Sequence, residues 1–110
     1  MPRILPPLPA LRVCLAVGLA VAGSAQAQSA SQALHLKALA ATCANCHGTD
    51  GRAVDGAGSI PLRGLGKDYI VAQMTAFREG KRAATVMHQL AKGYTPEQVE
   101  QLAAYFAAQN

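Results

Sequence analysis

The chain has 110 residues, of which 51% are hydrophobic and 15% are charged, and its formal net charge at pH 7 is +4. This length suits one small domain, and the basic residues form no stripe with interleaved aromatic side chains, so nothing favours nucleic-acid binding. Two of the positive charges, Arg3 and Arg12, lie in a segment that we expect to be removed, which would leave a charge of only +2.

The first 27 residues have the pattern of a cleavable secretory signal peptide. Arg3 and Arg12 supply positive charge, residues 13–22 are uncharged, and Ala25 and Ala27 form an A-x-A cleavage site. The uncharged run is about half of the ~20 residues that a membrane-spanning helix needs, so stable membrane insertion is not expected. The pattern predicts a mature domain over residues 28–110, located in the periplasm.

The first helix of the mature chain is predicted over residues 29–43. Its apolar positions recur at i, i+3, i+4 and i+7, the spacing of one helix face. The residues on this face are Leu36, Leu39, Ala40 and Cys43. The face leads directly into the sequence Cys43-Ala44-Asn45-Cys46-His47.

The C-x-x-C-H sequence at residues 43–47 is the attachment signature of c-type haem. Two thiols at this spacing each form a thioether to one haem vinyl group, and the adjacent His47 reaches the iron. A redox dithiol is expected in a βαβ pattern, which is missing, and a structural zinc site needs four ligands. The only further cysteine is Cys14, in the predicted signal peptide, and a Cys43–Cys46 disulfide would close a small, strained loop.

The rest of the chain predicts a long loop and three helical segments. Residues 48–66 hold six of the ten glycines together with Pro61, and a loop of this length is unusual unless it is functional. A helix is predicted over residues 68–79, with Gly80 as its C-terminal cap. Its apolar face consists of Ile70, Met74 and Phe77.

A short helical turn is predicted over residues 85–92, followed by Gly93 and the last helix. Thr95, Pro96 and Gln98 form a capping box with proline at the first helical position. The apolar stripe of this helix is Val99, Leu102, Ala103 and Phe106. Because no segment has a strand pattern, the predicted fold class is all-α.

With these features in place, the mature region resembles the class I cytochromes c. The resemblance rests on the runs CANCHGTDG at residues 43–51, MHQLAKGYT at residues 87–95 and LAAYF at residues 102–106. More narrowly, residues 80–87 and 91–94 resemble the cytochrome subunits of flavocytochrome c sulfide dehydrogenases. The resemblance implies a small fold of three to five helices around one covalently bound haem c.

The resemblance also implies ligands. Cys43 and Cys46 would form the thioethers, and His47 would be the first axial iron ligand. In this family the second ligand is a methionine before the C-terminal helix, which favours Met87 over Met74. The rivals for this position, giving a bis-His haem, are His88 and His35.

Further residues are expected around the haem. In the family a loop proline often supplies the carbonyl that accepts the ring N–H of the ligating histidine, and Pro61 is the candidate. Expected apolar contacts are Ile60, Leu62, Leu65, Ile70, Met74, Val86 and Leu90. The cations Arg78, Lys81, Arg82 and Lys92 flank the Met87 segment, where they would meet an acidic partner, a haem propionate or only solvent.

A haem with both axial positions filled has no open site for substrate, so the resemblance implies a one-electron carrier rather than an enzyme. Its partners would be a flavoprotein (FAD) subunit of a sulfide dehydrogenase and a downstream electron acceptor. A second hypothesis is a free cytochrome c shuttle to a terminal oxidase or reductase. A third, from a different class, is a haem enzyme or gas sensor with an open iron site.

Overall fold

The computed structural model describes residues 10–56 and 58–109. Within these ranges the regular structure consists of α1 (Ala10–His47), α2 (Lys67–Arg78), α3 (Met87–Leu90) and α4 (Pro96–Ala107), with 3₁₀ turns at Thr49–Gly51 and Ala91–Gly93. No strand occurs among the described residues, so the all-α prediction is confirmed. None of the described helices combines the length and apolar character that crossing a bilayer requires.

The chain divides into two compact units, Met1–Leu34 and His35–Asn110. The predicted signal peptide falls in the first unit, and its first nine residues lie outside the described part of the chain. The second unit contains the C-x-x-C-H sequence, the loop that follows it and the other three helices.

Helix α1 differs from the prediction at both ends. It begins at Ala10 rather than at residue 29, because no proline interrupts residues 10–60. It continues through the C-x-x-C-H sequence and ends at His47, because Gly48 adopts the left-handed conformation with φ +77°. The helix therefore carries both cysteines and the histidine on its last turns.

The later helices lie close to their predicted positions. Helix α2 is shifted by one residue, and Gly80 after it has φ +71°, which confirms the predicted cap. At the start of α4 the backbone N–H of Gln98 donates to the Thr95 hydroxyl (3.2 Å), and the Thr95 N–H donates to the Gln98 side-chain oxygen (2.9 Å). The predicted capping box is therefore confirmed.

The buried core of the second unit is small. Its central cluster joins α1, α2 and α4 through Ala40, Ile70, Leu102, Ala103 and Phe106. The predicted stripe of α4 (Val99, Leu102, Ala103 and Phe106) comprises the buried residues of that helix. Because so few large side chains are fully buried, the three helices leave space between them, and this space is the candidate site.

Candidate haem-binding site

A cavity of about 390 Å³ lies in the second unit, bordered by the end of α1, the loop at residues 58–65, α2, the segment at residues 82–90 and α4. This volume lies within the ~300–1,000 Å³ typical of ligand sites. Its lining is mainly apolar and includes all seven predicted contacts: Ile60, Leu62, Leu65, Ile70, Met74, Val86 and Leu90.

Both cysteines of the C-x-x-C-H sequence line this cavity as free thiols. Residues three and four apart in a helix share a face, so α1 presents Cys43, Cys46 and His47 on one side. Burial raises the pKa of the Cys43 thiol above its ordinary value. The described residues contain no cluster of three or more His, Cys, Asp or Glu side chains suited to a metal ion.

His47 is oriented by the loop that follows it. Its Nδ1 lies 2.8 Å from the backbone carbonyl oxygen of Ile60. A carbonyl only accepts hydrogen bonds, so Nδ1 carries the proton and Nε2 keeps its lone pair for a metal. The prediction that Pro61 supplies this carbonyl was wrong by one residue, because the turn of the loop, which the sequence does not reveal, directs the Ile60 carbonyl at the ring.

Two glycines fix the path of this loop. Gly51 has φ +73°, and its carbonyl accepts hydrogen bonds from the backbone N–H groups of Leu62 (2.9 Å) and Arg63 (3.2 Å). A Cβ on Gly48 would lie 1.9 Å from the carbonyl oxygen of Arg52, so the first turn also requires glycine. These contacts fold the loop back on itself and bring Ile60 to His47.

Both candidate methionines line the cavity. Met74 lies in the middle of α2 and packs against the core cluster. Met87 is the first residue of α3 and lies outside that cluster. Among the described residues that line the cavity, His47 is the only histidine.

The cations near Met87 have different surroundings. Arg78 donates to backbone carbonyls, and Lys81 pairs with Glu79 at 2.6 Å. Arg82 lines the cavity, with its guanidinium 4.7 Å from the centroid of the Phe77 ring and a hydrogen bond to Gln73. It is the one arginine or lysine among the described lining residues, so it is positioned for an anionic group of a ligand.

The donor set therefore fits haem c. Two free thiols, an oriented imidazole and the thioethers of two candidate methionines line an apolar cavity that has Arg82 in its wall. The sequence did not point to Thr42, Tyr69, Gln73 or Tyr94, which also line the cavity, because their positions depend on how the helices pack.

The family model for cytochrome c matches residues 36–109 of this chain. The chain belongs to the cytochrome c family. Membership implies covalently bound haem c, in agreement with the thiols and the imidazole at the cavity. The resemblance to class I cytochromes c is thereby confirmed.

Two individual cytochromes are similar in sequence to this chain. The chain is 42% identical over 69 residues to the cytochrome subunit of sulfide dehydrogenase from Chlorobaculum tepidum. The matched region covers 62% of this chain and 60% of that protein. It is 38% identical over 68 residues to a thiosulfate dehydrogenase electron acceptor from Thiomonas intermedia, covering 62% of this chain and 31% of that protein. The chain thus spans less than two thirds of the length of both relatives.

A solved structure supports the fold. The cytochrome c4 of Acidithiobacillus ferrooxidans superimposes with a TM-score of 0.54 at 40% sequence identity, covering 60% of this chain and 38% of that one. The all-α class I cytochrome c fold is therefore established for the matched region.

Proposed function

We propose that this cytochrome c is a mono-haem electron carrier of the periplasm, with His47 and Met87 as axial ligands and thioethers from Cys43 and Cys46. The observation that carries the proposal is that these four side chains line one apolar cavity while the Ile60 carbonyl orients His47. When bound there, haem c supplies one-electron exchange between Fe(III) and Fe(II).

The residues of the chain have separable tasks in this proposal. The cysteines would hold the group at the end of α1, and His47 would offer Nε2, because the hydrogen bond from Nδ1 to the Ile60 carbonyl fixes the tautomer and the orientation of the ring. The thioether of Met87 would favour the reduced iron and thus raise the reduction potential. The apolar lining excludes water, and Arg82 is placed to pair with a propionate.

Met87 is preferred to Met74 because of packing. The side chain of Met74 packs against the core cluster that contains Ile70, whereas Met87 begins a separate short helix. If His47 and Met87 both bind the iron, no position would remain for a substrate, so the proposed role is electron transfer rather than catalysis.

The test is the ferric visible spectrum of the holoprotein, where a weak sulfur-to-iron charge-transfer band reports methionine ligation. We expect the band in the wild type and in Met74→Ala, and its loss in Met87→Ala. Loss in Met74→Ala alone would show that the ligand is Met74. Absence of the band in the wild type, with ready binding of carbon monoxide to the reduced protein, would favour the enzyme or gas-sensor hypothesis instead.

The processing of the chain is tested by its intact mass. We propose cleavage after Ala27, so the exported protein should begin at Gln28 and carry one haem. A mass that includes the first 27 residues would contradict the signal-peptide proposal. A mass without haem would contradict the thioether assignments.

We further propose that the electron donor is a flavoprotein subunit of a sulfide dehydrogenase. The support is the resemblance to the Chlorobaculum tepidum subunit, which is named for that complex. A tagged chain purified from its native producer should then bring down a flavin-containing protein in constant ratio. Recovery of the haem protein alone would favour the free shuttle.

A further inference from the structure

Arg78, the last residue of α2, makes several contacts with the segment that follows Met87. Its Nε and Nη2 donate to the carbonyl oxygen of Ala91 at 3.3 and 3.2 Å, and Nη2 also donates to the carbonyl oxygen of Tyr94. The side chain is partly buried, so these hydrogen bonds are shielded from competing water. One planar guanidinium thus holds two points of the backbone, which a lysine cannot reproduce.

The carbonyls that Arg78 binds belong to the segment that carries Met87. Helix α3 starts at Met87 and continues directly into the turn at Ala91–Gly93. A four-residue helix makes too few internal hydrogen bonds to be stable by itself. Ala91 is completely buried, so its carbonyl is strongly stabilised by a charged donor within reach.

The same segment is tied to the haem-attachment helix by Tyr94. The hydroxyl of Thr42 donates to the carbonyl of Leu39 (2.7 Å), so at its 2.7 Å contact with Tyr94 it accepts from the phenol. Thr42 directly precedes Cys43. Hydrogen bonds therefore connect α2, the segment after Met87 and the turn of α1 that bears the cysteines.

We propose that Arg78 is a positioning residue for Met87: it holds the segment after Met87 on α2 and so determines how firmly the thioether stays at the iron. The inference rests on the proposed function, which assigns Met87 as the ligand. A thioether is a weak, neutral ligand, so its ligation depends on the protein keeping it in place. Loss of a partner that orients a ligand typically lowers metal affinity by about 10–100-fold.

The experiment titrates ferric holoprotein with imidazole, which competes with the methionine, and follows the loss of the charge-transfer band. We expect Arg78→Gln to bind imidazole at least about tenfold more tightly than the wild type. The imidazole affinity of Arg78→Lys should lie between those of the wild type and Arg78→Gln, because an ammonium group replaces only part of the hydrogen bonding of the planar guanidinium. Arg52→Gln is the matched control, since it removes the same charge from an exposed side chain and should behave as the wild type.

Wild-type imidazole affinity in Arg78→Gln, or an equal increase in Arg52→Gln, would overturn the proposal. If Arg78→Gln does not accumulate as folded protein, a wild-type imidazole affinity in Arg78→Lys would overturn the proposal instead. A failure of the proposed function gives a different result: Met87→Ala then keeps the charge-transfer band, and both the ligand assignment and this inference are wrong. Loss of the band in Met87→Ala with unchanged affinity in the Arg78 variants would overturn the role of Arg78 alone.

Discussion

Replacing Gly51 with alanine tests how the loop after the haem-attachment sequence is held against the core. A Cβ at this position would lie 2.8 Å from the backbone nitrogen of Arg63, 2.9 Å from Cβ of Leu62 and 3.0 Å from Cδ1 of Phe106. The first of these neighbours is backbone and the last is a core side chain, 2% exposed, so neither moves away cheaply. The loop must therefore shift if alanine is to fit.

The expected loss of stability has two parts. The left-handed φ of +73° costs alanine about 1–2 kcal/mol, and overpacking in a well-packed region costs about 1–3 kcal/mol. We therefore expect Gly51→Ala to lower the free energy of unfolding by about 2–5 kcal/mol. This is a large part of the ~5–15 kcal/mol typical of a small domain.

Gly56 provides the matched control. Its φ is +82°, but a Cβ there would meet nothing within 4 Å. Gly56→Ala should therefore show only the backbone part, about 1–2 kcal/mol. The assay is guanidinium unfolding of the holoprotein, followed by far-UV circular dichroism and by haem absorbance. Equal losses in the two variants would refute the reasoning, because the close contacts at Gly51 would then cost nothing.

Two further predictions concern single hydrogen bonds, and both are measured by the same unfolding assay. The phenol of Tyr105 donates to Asp50 at 2.5 Å, and this bond raises the pKa of Tyr105. Tyr105→Phe should therefore cost about 1 kcal/mol at neutral pH. Its deficit should shrink as the pH rises from about 10, the ordinary tyrosine pKa, through the raised pKa of Tyr105, because an ionised phenol no longer donates. A deficit that is independent of pH would contradict this. Thr95→Ala removes the helix cap that binds the N–H of Gln98 and should lower the free energy of unfolding by about 1 kcal/mol. The control Thr75→Ala, inside α2, should be neutral or slightly stabilising. A loss of stability in Thr75→Ala as large as that in Thr95→Ala would argue against the capping role.

The variants of Gly51, Thr95 and Arg78 all test segments that surround the small core of the domain. Its core cluster is small, and the cavity beside it occupies the place where a larger core would lie. A covalent haem is a large apolar group, so it is expected to complete this core as well as to carry electrons. The loop at Gly51, the cap at Thr95 and the contacts of Arg78 each stabilise a segment that borders the cavity or packs behind it.

The sequence determined the features that depend on local chemistry and on spacing along one helix. The C-x-x-C-H motif indicated the cofactor class, because residues three and four apart lie on one helix face whatever the rest of the fold does. The capping box at Thr95 and the buried stripe of α4 were predictable for the same reason. Helix boundaries were less secure, since α1 continues past its predicted end at residue 43 as far as His47.

The tertiary structure decided the contacts between segments distant in the chain. Whether the carbonyl of Ile60 or of Pro61 meets His47 depends on the turns at Gly48 and Gly51, because one residue of offset in a loop redirects the carbonyl. Arg78 binds backbone carbonyls rather than a partner protein because α2 packs against the segment after Met87. Sequence patterns encode which side of an element is apolar, but these pairings exist only once the elements have packed.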